Sequence, residues 1–235
     1  MSTTCVFADQ QILKEIQEGH IIIEPFNPKN LNNCSYNVTL SCHFFREKLP
    51  QDKESKTLNP WQEKDIARCW ELGHVEVANS SNHKDLGLEL GQEYISLAPF
   101  ETILIATQEF IGGCEHITTM AKGRSSSGRS LLNVCAGTGW GDIGYVNRWT
   151  LMVTSVSRFA NVILPVGSSI AQIIFLETGY TQKTYAGKYQ GGVSTDPKAL
   201  VEELKRTWSP AMMLPQLYKE LPVEEESYEQ ETDIV

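Results

Sequence analysis

The chain has 235 residues, 41% of them hydrophobic and 21% charged, with a formal net charge of −9. This composition is typical of a globular chain with a sizeable core, and it excludes global disorder. The acidic balance argues against a binder of long nucleic acids, because a phosphate backbone selects clustered Lys and Arg. The length fits one domain with appendages.

The negative charge is concentrated at the C-terminus. Six acids lie in residues 222–235, which contain no Lys or Arg, so the rest of the chain carries only −3. We therefore expect residues 222–235 to form an acidic disordered tail.

The six cysteines are scattered, and no pair has the spacing of a zinc knuckle or a redox motif. The sequence shows no charged-then-apolar leader and no apolar run approaching 18 residues. These features predict a cytoplasmic location and no membrane contact.

The first predicted elements are a short helix over residues 9–17, capped by Asp9 and ended by Gly19, and a buried strand through Ile21–Ile23 that ends at Pro25. Alternating residues from Tyr36 to Leu40 predict a half-buried strand. Residues 46–91 lose this pattern and are interpreted as an insertion lying over the domain.

Short β-rich runs dominate the middle of the chain, and Gly, Pro and Ser separate them. The runs cover 102–106, 149–156, 161–164 and 170–176. This succession predicts a mainly β fold, that is, a sandwich, barrel or jelly roll. A second helix is expected over 196–208, with Leu200, Val201 and Leu204 on one face.

The densest polar segment runs from Lys122 to Arg129 and reads KGRSSSGR. Glycines allow close backbone approach, hydroxyls and amides donate to phosphate oxygens, and Arg adds planar bidentate contacts. The segment is a candidate polyphosphate site, and the alternatives are a flexible surface loop or a kinase target. It is not a Walker A loop, which has a different spacing.

Two further segments combine glycines with reactive or aromatic side chains. Residues 138–145 place three glycines around Asp142, which either orients a water or sugar hydroxyl or bonds its own turn backbone. Residues 188–192 combine Lys188, Tyr189 and a Gly pair, as in a lid over a nucleotide or, alternatively, a solvated linker.

Zinc-dependent base deamination is disfavoured by the sequence. That chemistry needs His-x-Glu followed by Pro-Cys-x-x-Cys. His74 and Glu76 supply the first half, but the later cysteines, Cys114 and Cys135, neither follow Pro nor have the required spacing.

Several motifs in the right order resemble the zinc-independent dCTP deaminases and their dUTPase relatives. Residues 34–40 (CSYNVTL) are similar to the family's Ser-Tyr-Asp-Leu-x-Leu strand, and 123–129 to Gly-Arg-Ser-Ser-x-x-Arg. Residues 138–145 are similar to Ala-Gly-Trp-Ile-Asp-Pro-Gly-Phe, and 185–191 continue the match. The resemblance covers about 7–45 and 93–195, and several ordered motifs make it specific.

The resemblance implies a distorted jelly roll or β-barrel of the dUTPase type with short flanking helices, assembled as a homotrimer. The family-like domain would span 1–195 with an insertion at about 46–91, followed by a C-terminal helical extension over 196–221. The ligand implied is dUTP or dCTP, with Mg²⁺ carried by the triphosphate and no metal held directly by protein side chains.

The resemblance also implies roles for individual residues. Asp142 would serve the deoxyribose or the catalytic water, with Ser125 and Arg129 also in the catalytic group. The remaining nucleotide and phosphate contacts would come from Lys122, Arg124, Ser125, Ser126, Tyr185, Lys188 and Gln190, the last three in a closing C-terminal arm.

The departures from the family pattern concern the chemistry. The deaminase strand reads Thr-Leu-Glu-Leu, with Glu as general base, whereas this chain has Met152 at that place. Loss of a general base costs about 10²–10⁴-fold in rate, so ordinary deamination is not expected. Asn37 replaces the usual Asp, Gly141 an aliphatic residue and Asn147 a Gly.

Three hypotheses follow. The first is hydrolysis of dUTP to dUMP and pyrophosphate by a water held at Asp142. The second is a catalytically impaired nucleotide-binding regulatory protein, consistent with Met152 and Asn37. The third is dCTP deamination with a displaced general base, for which Glu115 is the nearest acid but has no matching position.

Overall fold

The computed structural model describes residues 5–48, 57–135, 139–192 and 194–220. Its strands are β1 (Ile21–Glu24), β2 (Tyr36–Glu47), β3 (Trp70–Leu72), β4 (Glu76–Val77), β5 (Glu93–Leu97), β6 (Thr102–Gly113), β7 (Ile117–Gly123), β8 (Leu132–Val134), β9 (Trp140–Gly141), β10 (Val146–Ser155), β11 (Val162–Pro165) and β12 (Ser169–Glu177). Its helices are α1 (Asp9–Glu18), α2 (Glu63–Cys69), α3 (His83–Leu86), α4 (Ser125–Arg129) and α5 (Pro197–Thr207), with 3-10 turns at Pro28–Asn30, Pro210–Met213 and Leu217–Glu220.

The strands form two antiparallel sheets. The larger follows the order β8-β10-β6-β2-β12-β7-β9, with β1 also paired to β6 and β3 to β2. The smaller has the order β11-β5-β4. The predicted mainly β fold of the distorted jelly-roll or barrel type, with short flanking helices, is confirmed.

Alternation along the long strands builds the core. On β2 and β10 the inward side chains are fully buried apolar residues, and they meet those of β6 and β12. Prominent members are Tyr36, Val38, Leu40, Ile103, Ile105, Leu151, Val153, Ile173 and Phe175. Burial of this apolar area is the main stabilising contribution to the sheet.

The N-terminal helix starts differently from the sequence expectation. Ala8 occupies the N-cap without a side-chain hydrogen bond, and Asp9 is the first helical residue. The Asp9 carboxylate accepts from the adjacent Gln10 N–H instead, so the prediction of Asp9 as the cap is wrong. The predicted stop is confirmed, because Gly19 ends the helix with a left-handed φ of 85°.

The region after β2 contributes to both sheets. In β3, Leu72 pairs with Phe45 of β2, while β4 pairs with β5. Helix α5 buries Leu200, Val201 and Leu204 in a second apolar cluster, as its pattern predicts. The acidic tail expected at 222–235 lies outside the described residues.

Candidate functional site

The loop that joins β9 to β10, here called the Asp142 loop, carries Asp142. Its turn is closed by a hydrogen bond of 2.9 Å from the Tyr145 N–H to the Asp142 carbonyl. Gly144 has a φ of 91°, and a Cβ there would lie 2.1 Å from Cγ2 of Thr184. Only glycine therefore fits this point of the loop without strain.

A cleft of about 520 Å³ opens beside this loop, and that volume suits a small organic ligand. It brings together Asp142, Met152 and Tyr185, three positions that the sequence singled out. The other lining residues are Leu104, Gly139, Trp140, Tyr145, Asn147, Arg148, Trp149, Thr150, Tyr189, Trp208, Met212, Met213 and Pro215.

The carboxylate of Asp142 faces solvent at this cleft. Within the described part of the chain, it accepts no hydrogen bond and forms no ion pair; only the main-chain carbonyl of Asp142 takes part in the turn. The alternative of a turn acid that bonds its own backbone therefore does not fit. Asp142 remains available to hold a water or a ligand hydroxyl.

From Trp149 to Val153, the side chains of β10 alternate between the core and the cleft. Trp149, Leu151 and Val153 are buried in the core, while Thr150 and Met152 are half-buried and line the cleft. A carboxylate at position 152 would therefore point into the cleft, and Met152 places an apolar group there instead. Leu104, which lies opposite Met152 in the β6–β10 pair, also lines the cleft and packs in one apolar cluster with Met213.

The C-terminal arm, residues 185–190, packs against the Asp142 loop. The Tyr185 N–H donates to the Ile143 carbonyl over 2.8 Å, and the Gln190 side chain donates to the Gly144 carbonyl over 3.2 Å. The rings of Tyr185 and Tyr145 meet edge to face at 5.4 Å. These contacts place the arm beside Asp142.

Lys188 belongs to this arm, but it does not line the cleft. Its ammonium group pairs with the Glu220 carboxylate and lies 5.5 Å from the ring centre of Tyr189. The hydrogen bond to Glu220 is the main reason that the pKa of Lys188 lies above its ordinary value.

The predicted phosphate segment lies at the end of β7 and on α4. Lys122, Ser125, Ser126 and Arg129 are exposed, while Arg124 donates to the Ser169 carbonyl over 3.2 Å. None of these residues lines the Asp142 cleft. Within one chain, the phosphate segment and the acid are therefore not assembled into one pocket.

The other three departures from the family pattern, at Asn37, Gly141 and Asn147, have structural counterparts. A Cβ at Gly141 would lie 2.3 Å from Oγ1 of Thr119 and 2.6 Å from the Trp149 ring, so these two side chains fill the space of the aliphatic residue. The Asn147 amide donates to the Tyr189 carbonyl over 2.9 Å. Asn37 lies on β2 opposite Gln172 of β12.

Arg148 and the cleft wall formed by the C-terminal extension were not predicted from the sequence. The Arg148 guanidinium stacks between Phe110 and Trp208, at 5.1 and 4.8 Å from their ring centres, and burial lowers its pKa. Arg148 precedes the predicted run 149–156, and it lines the cleft together with Thr150 and Met152. No motif, however, indicated that Trp208 would meet it.

Comparison with known proteins extends these observations. The family model described as dCTP deaminase-like matches residues 6–178, most of the chain. The chain belongs to the dCTP deaminase-like family. This family comprises nucleotide-metabolising proteins of the dCTP deaminase and dUTPase type.

The similar proteins agree with this membership. A protein of Methanococcus maripaludis named "dCTP deaminase, dUMP-forming" is 27% identical over 79% of this chain and 90% of its own length. A protein of the same name from Clostridium botulinum is 29% identical over 86% of this chain and 99% of its own length.

A solved structure supports the fold of the dCTP deaminase-like chain. The 2'-deoxycytidine 5'-triphosphate deaminase of Agrobacterium tumefaciens aligns with a TM-score of 0.50 at 15% identity, over 74% of this chain and 47% of that one. Among the described residues, no helix has the length and hydropathy needed to cross a bilayer.

Proposed function

We propose that this family member binds pyrimidine deoxynucleoside triphosphates and hydrolyses dUTP to dUMP and pyrophosphate. The observation that carries the proposal is the unpaired Asp142 carboxylate at a nucleotide-sized cleft that has Met152 at the place of the deaminase base. The name of the relatives includes dUMP formation, which requires hydrolysis of the triphosphate as well as deamination. The hydrolytic step needs no general base at position 152.

In the proposed step, Asp142 holds a water against the α-phosphate. The water oxygen bonds to the α-phosphorus and its proton passes to the carboxylate, while the bond between the α-phosphorus and the α,β-bridging oxygen breaks. The products are dUMP and pyrophosphate. Positioning and proton acceptance by such an acid contribute about 10²–10⁴-fold to the rate.

The triphosphate would be bound by the segment that contains Lys122, Arg124, Ser125 and Ser126, with Arg129 beside it. Because this segment lies outside the Asp142 cleft of its own chain, we propose that sites form between copies, in a homotrimer. Tyr185, Lys188 and Gln190 would close over the ligand from the arm. Four of these side chains, Lys122, Arg124, Arg129 and Lys188, are cationic, which complements a polyanion despite the acidic chain.

Magnesium fits as an ion carried by the nucleotide. Among the residues that line the cleft, Asp142 is the sole carboxylate, so the lining offers no acidic cage for Mg²⁺. Bound to the triphosphate, Mg²⁺ would neutralise phosphate charge. The same lining leaves dCTP deamination without a second acid, and Glu115 lies in a neighbouring cleft instead.

A nucleotide-binding protein without turnover is the second candidate. The pairing of Lys188 with Glu220 favours it, because this pairing holds a proposed phosphate ligand on its own C-terminal extension. The presence of Asn37 in place of the family's Asp also favours a protein without turnover.

One experiment separates the candidates. The purified chain is incubated with Mg²⁺ and either dUTP or dCTP, and pyrophosphate, ammonia and uracil nucleotides are followed. We expect pyrophosphate from dUTP in the wild type and its loss in Asp142→Asn, with nucleotide binding retained. Binding without pyrophosphate release would establish the second candidate, and ammonia from dCTP would overturn the role given to Met152.

A further inference from the structure

Three side chains from distant parts of the sequence meet at the end of α1. They are Glu15 in α1, His20 just before β1, and His116 in the turn between β6 and β7. One ligand atom from each lies within 4.8 Å of the others. Oε2 of Glu15 is 2.8 Å from Nδ1 of His20 and 3.7 Å from Nε2 of His116.

We propose that Glu15, His20 and His116 form a Zn²⁺ site. Zinc binds imidazole nitrogen and carboxylate oxygen at about 2.0–2.2 Å in a tetrahedron, which separates neighbouring donors by about 3.3 Å. The two distances above bracket that separation, so an ion can enter with small side-chain movements. Water supplies the fourth ligand from the side where His20 is 26% exposed.

The backbone holds these donors in place. The His20 N–H donates to the Glu15 carbonyl over 2.9 Å, and the His20 carbonyl accepts from the Cys114 N–H over 2.8 Å. The His116 carbonyl accepts from the Thr178 N–H over 2.9 Å. Helix, strand and turn are therefore fixed relative to one another before any ion binds.

The buried carboxylate is also oriented by a second contact. The Gln11 amide donates to Oε1 of Glu15, which leaves Oε2 directed at the two histidines. Such outer contacts fix the ligand geometry in metal sites. Glu15 is only 3% exposed, and a buried carboxylate is stable only when charge and hydrogen bonds compensate it.

His116 is the member that gains most from an ion. Its Nδ1 is buried without a hydrogen-bond partner among the described residues, and its Nε2 is too far from Oε2 for a hydrogen bond. Its ring is held between His20, 5.0 Å away, and Tyr180, 5.4 Å away. A Zn²⁺ ion between Glu15 and His116 would give Nε2 the partner that it lacks among the described residues.

The proposed ion would connect three elements of the fold. The ion would join the end of α1 to the start of β1 and to the β6–β7 turn. None of its three ligands lines the cleft of Asp142. The site goes beyond the proposed nucleotide chemistry and is independent of Mg²⁺ carried by a nucleotide.

Metal binding is tested on the full, tag-free chain after removal of metal by a chelator. Titration with ZnCl₂ by calorimetry is expected to show one ion per chain, and Co²⁺ to give tetrahedral visible bands without thiolate charge transfer. His116→Gln and Glu15→Gln should weaken zinc binding at least about tenfold. His74→Gln, at an exposed histidine elsewhere, is the matched control and should bind as the wild type does.

Thermal unfolding distinguishes loss of the metal site from misfolding of a variant. The chelated wild type and His116→Gln should unfold at similar temperatures, and zinc should raise the midpoint of the wild type alone. The proposal is overturned by absent stoichiometric binding, by a thiolate band that assigns the ion to cysteines, or by unchanged affinity in a folded His116→Gln.

Discussion

Asn147 donates a hydrogen bond from its side-chain amide to the backbone carbonyl of Tyr189, 2.9 Å away, and so joins the start of β10, next to the Asp142 loop, to the C-terminal arm. Asn147 is 3% exposed, and its own amide oxygen accepts from the Arg148 N–H. The glycine usual at this position has no side chain with which to make either bond. This chain therefore holds its arm by a contact of its own.

Removal of this contact should loosen the arm. In Asn147→Ala the Tyr189 carbonyl loses its donor, at a cost of about 1–3 kcal/mol for the groups left unpaired. We expect faster hydrogen exchange over residues 185–190 and a higher KM for dUTP. Asn161→Ala removes an exposed amide bond to Ser96 and is the control. Unchanged exchange in the arm would show that Asn147 does not hold it.

The ion pair between Lys188 and Glu220 gives a second prediction. In Glu220→Gln, Lys188 loses its anionic partner and becomes available to phosphate. Exposed ion pairs are weak, so we expect only about a two- to fivefold decrease in Kd for dUTP. Glu202→Gln, which breaks a comparable pair with Lys205 on α5, should leave the Kd unchanged. Equal or weaker binding by Glu220→Gln would remove Lys188 from the proposed phosphate ligands.

Met152 offers a gain-of-function test. Its side chain lies on the cleft face of β10, so Met152→Glu should place a carboxylate in the cleft. We expect ammonia release from dCTP that exceeds the release by Met152→Gln, a variant of similar size that cannot accept a proton. Half-burial at this position limits the stability cost. Equal rates in the two variants would show that position 152 cannot supply the base.

The fold was predictable because it depends on local patterns. Period-two alternation in β2 and β10, and the apolar face of α5, identify buried residues without knowledge of their partners. Element ends were less accurate: β6 continues to Gly113, beyond the predicted 102–106, because pairing with β1 and β10 extends it.

The site was only partly predictable. Asp142, Tyr185 and Met152 belong to segments with recognisable motifs, and the structure places all three at one cleft. Trp208 and Met213 reach the same cleft from the C-terminal extension, and their positions depend on tertiary packing that no short motif records. The same holds for Glu15 and His116, which meet only after the sheet has formed.

The last prediction concerns Glu109, a buried acid on β6. Both of its carboxylate oxygens accept from Thr39, one from the N–H and one from the hydroxyl. Burial raises the pKa of Glu109, while the Thr39 bonds and the positive charge of Arg148 oppose the increase. Tyr36 is a further titratable neighbour that senses its charge.

A raised pKa in the folded state means that the folded chain binds the Glu109 proton more tightly than the unfolded chain does. This contribution to stability is complete below the ordinary glutamate pKa and is lost as the pH rises through the folded value. Glu109→Gln has no carboxyl group to titrate at this position. It also loses one hydrogen bond to Thr39, but this loss is the same at every pH. The free energy of unfolding of the wild type should therefore fall relative to the variant as the pH rises from about 4. Urea unfolding across this range measures the difference, and a difference independent of pH would show that burial does not raise this pKa.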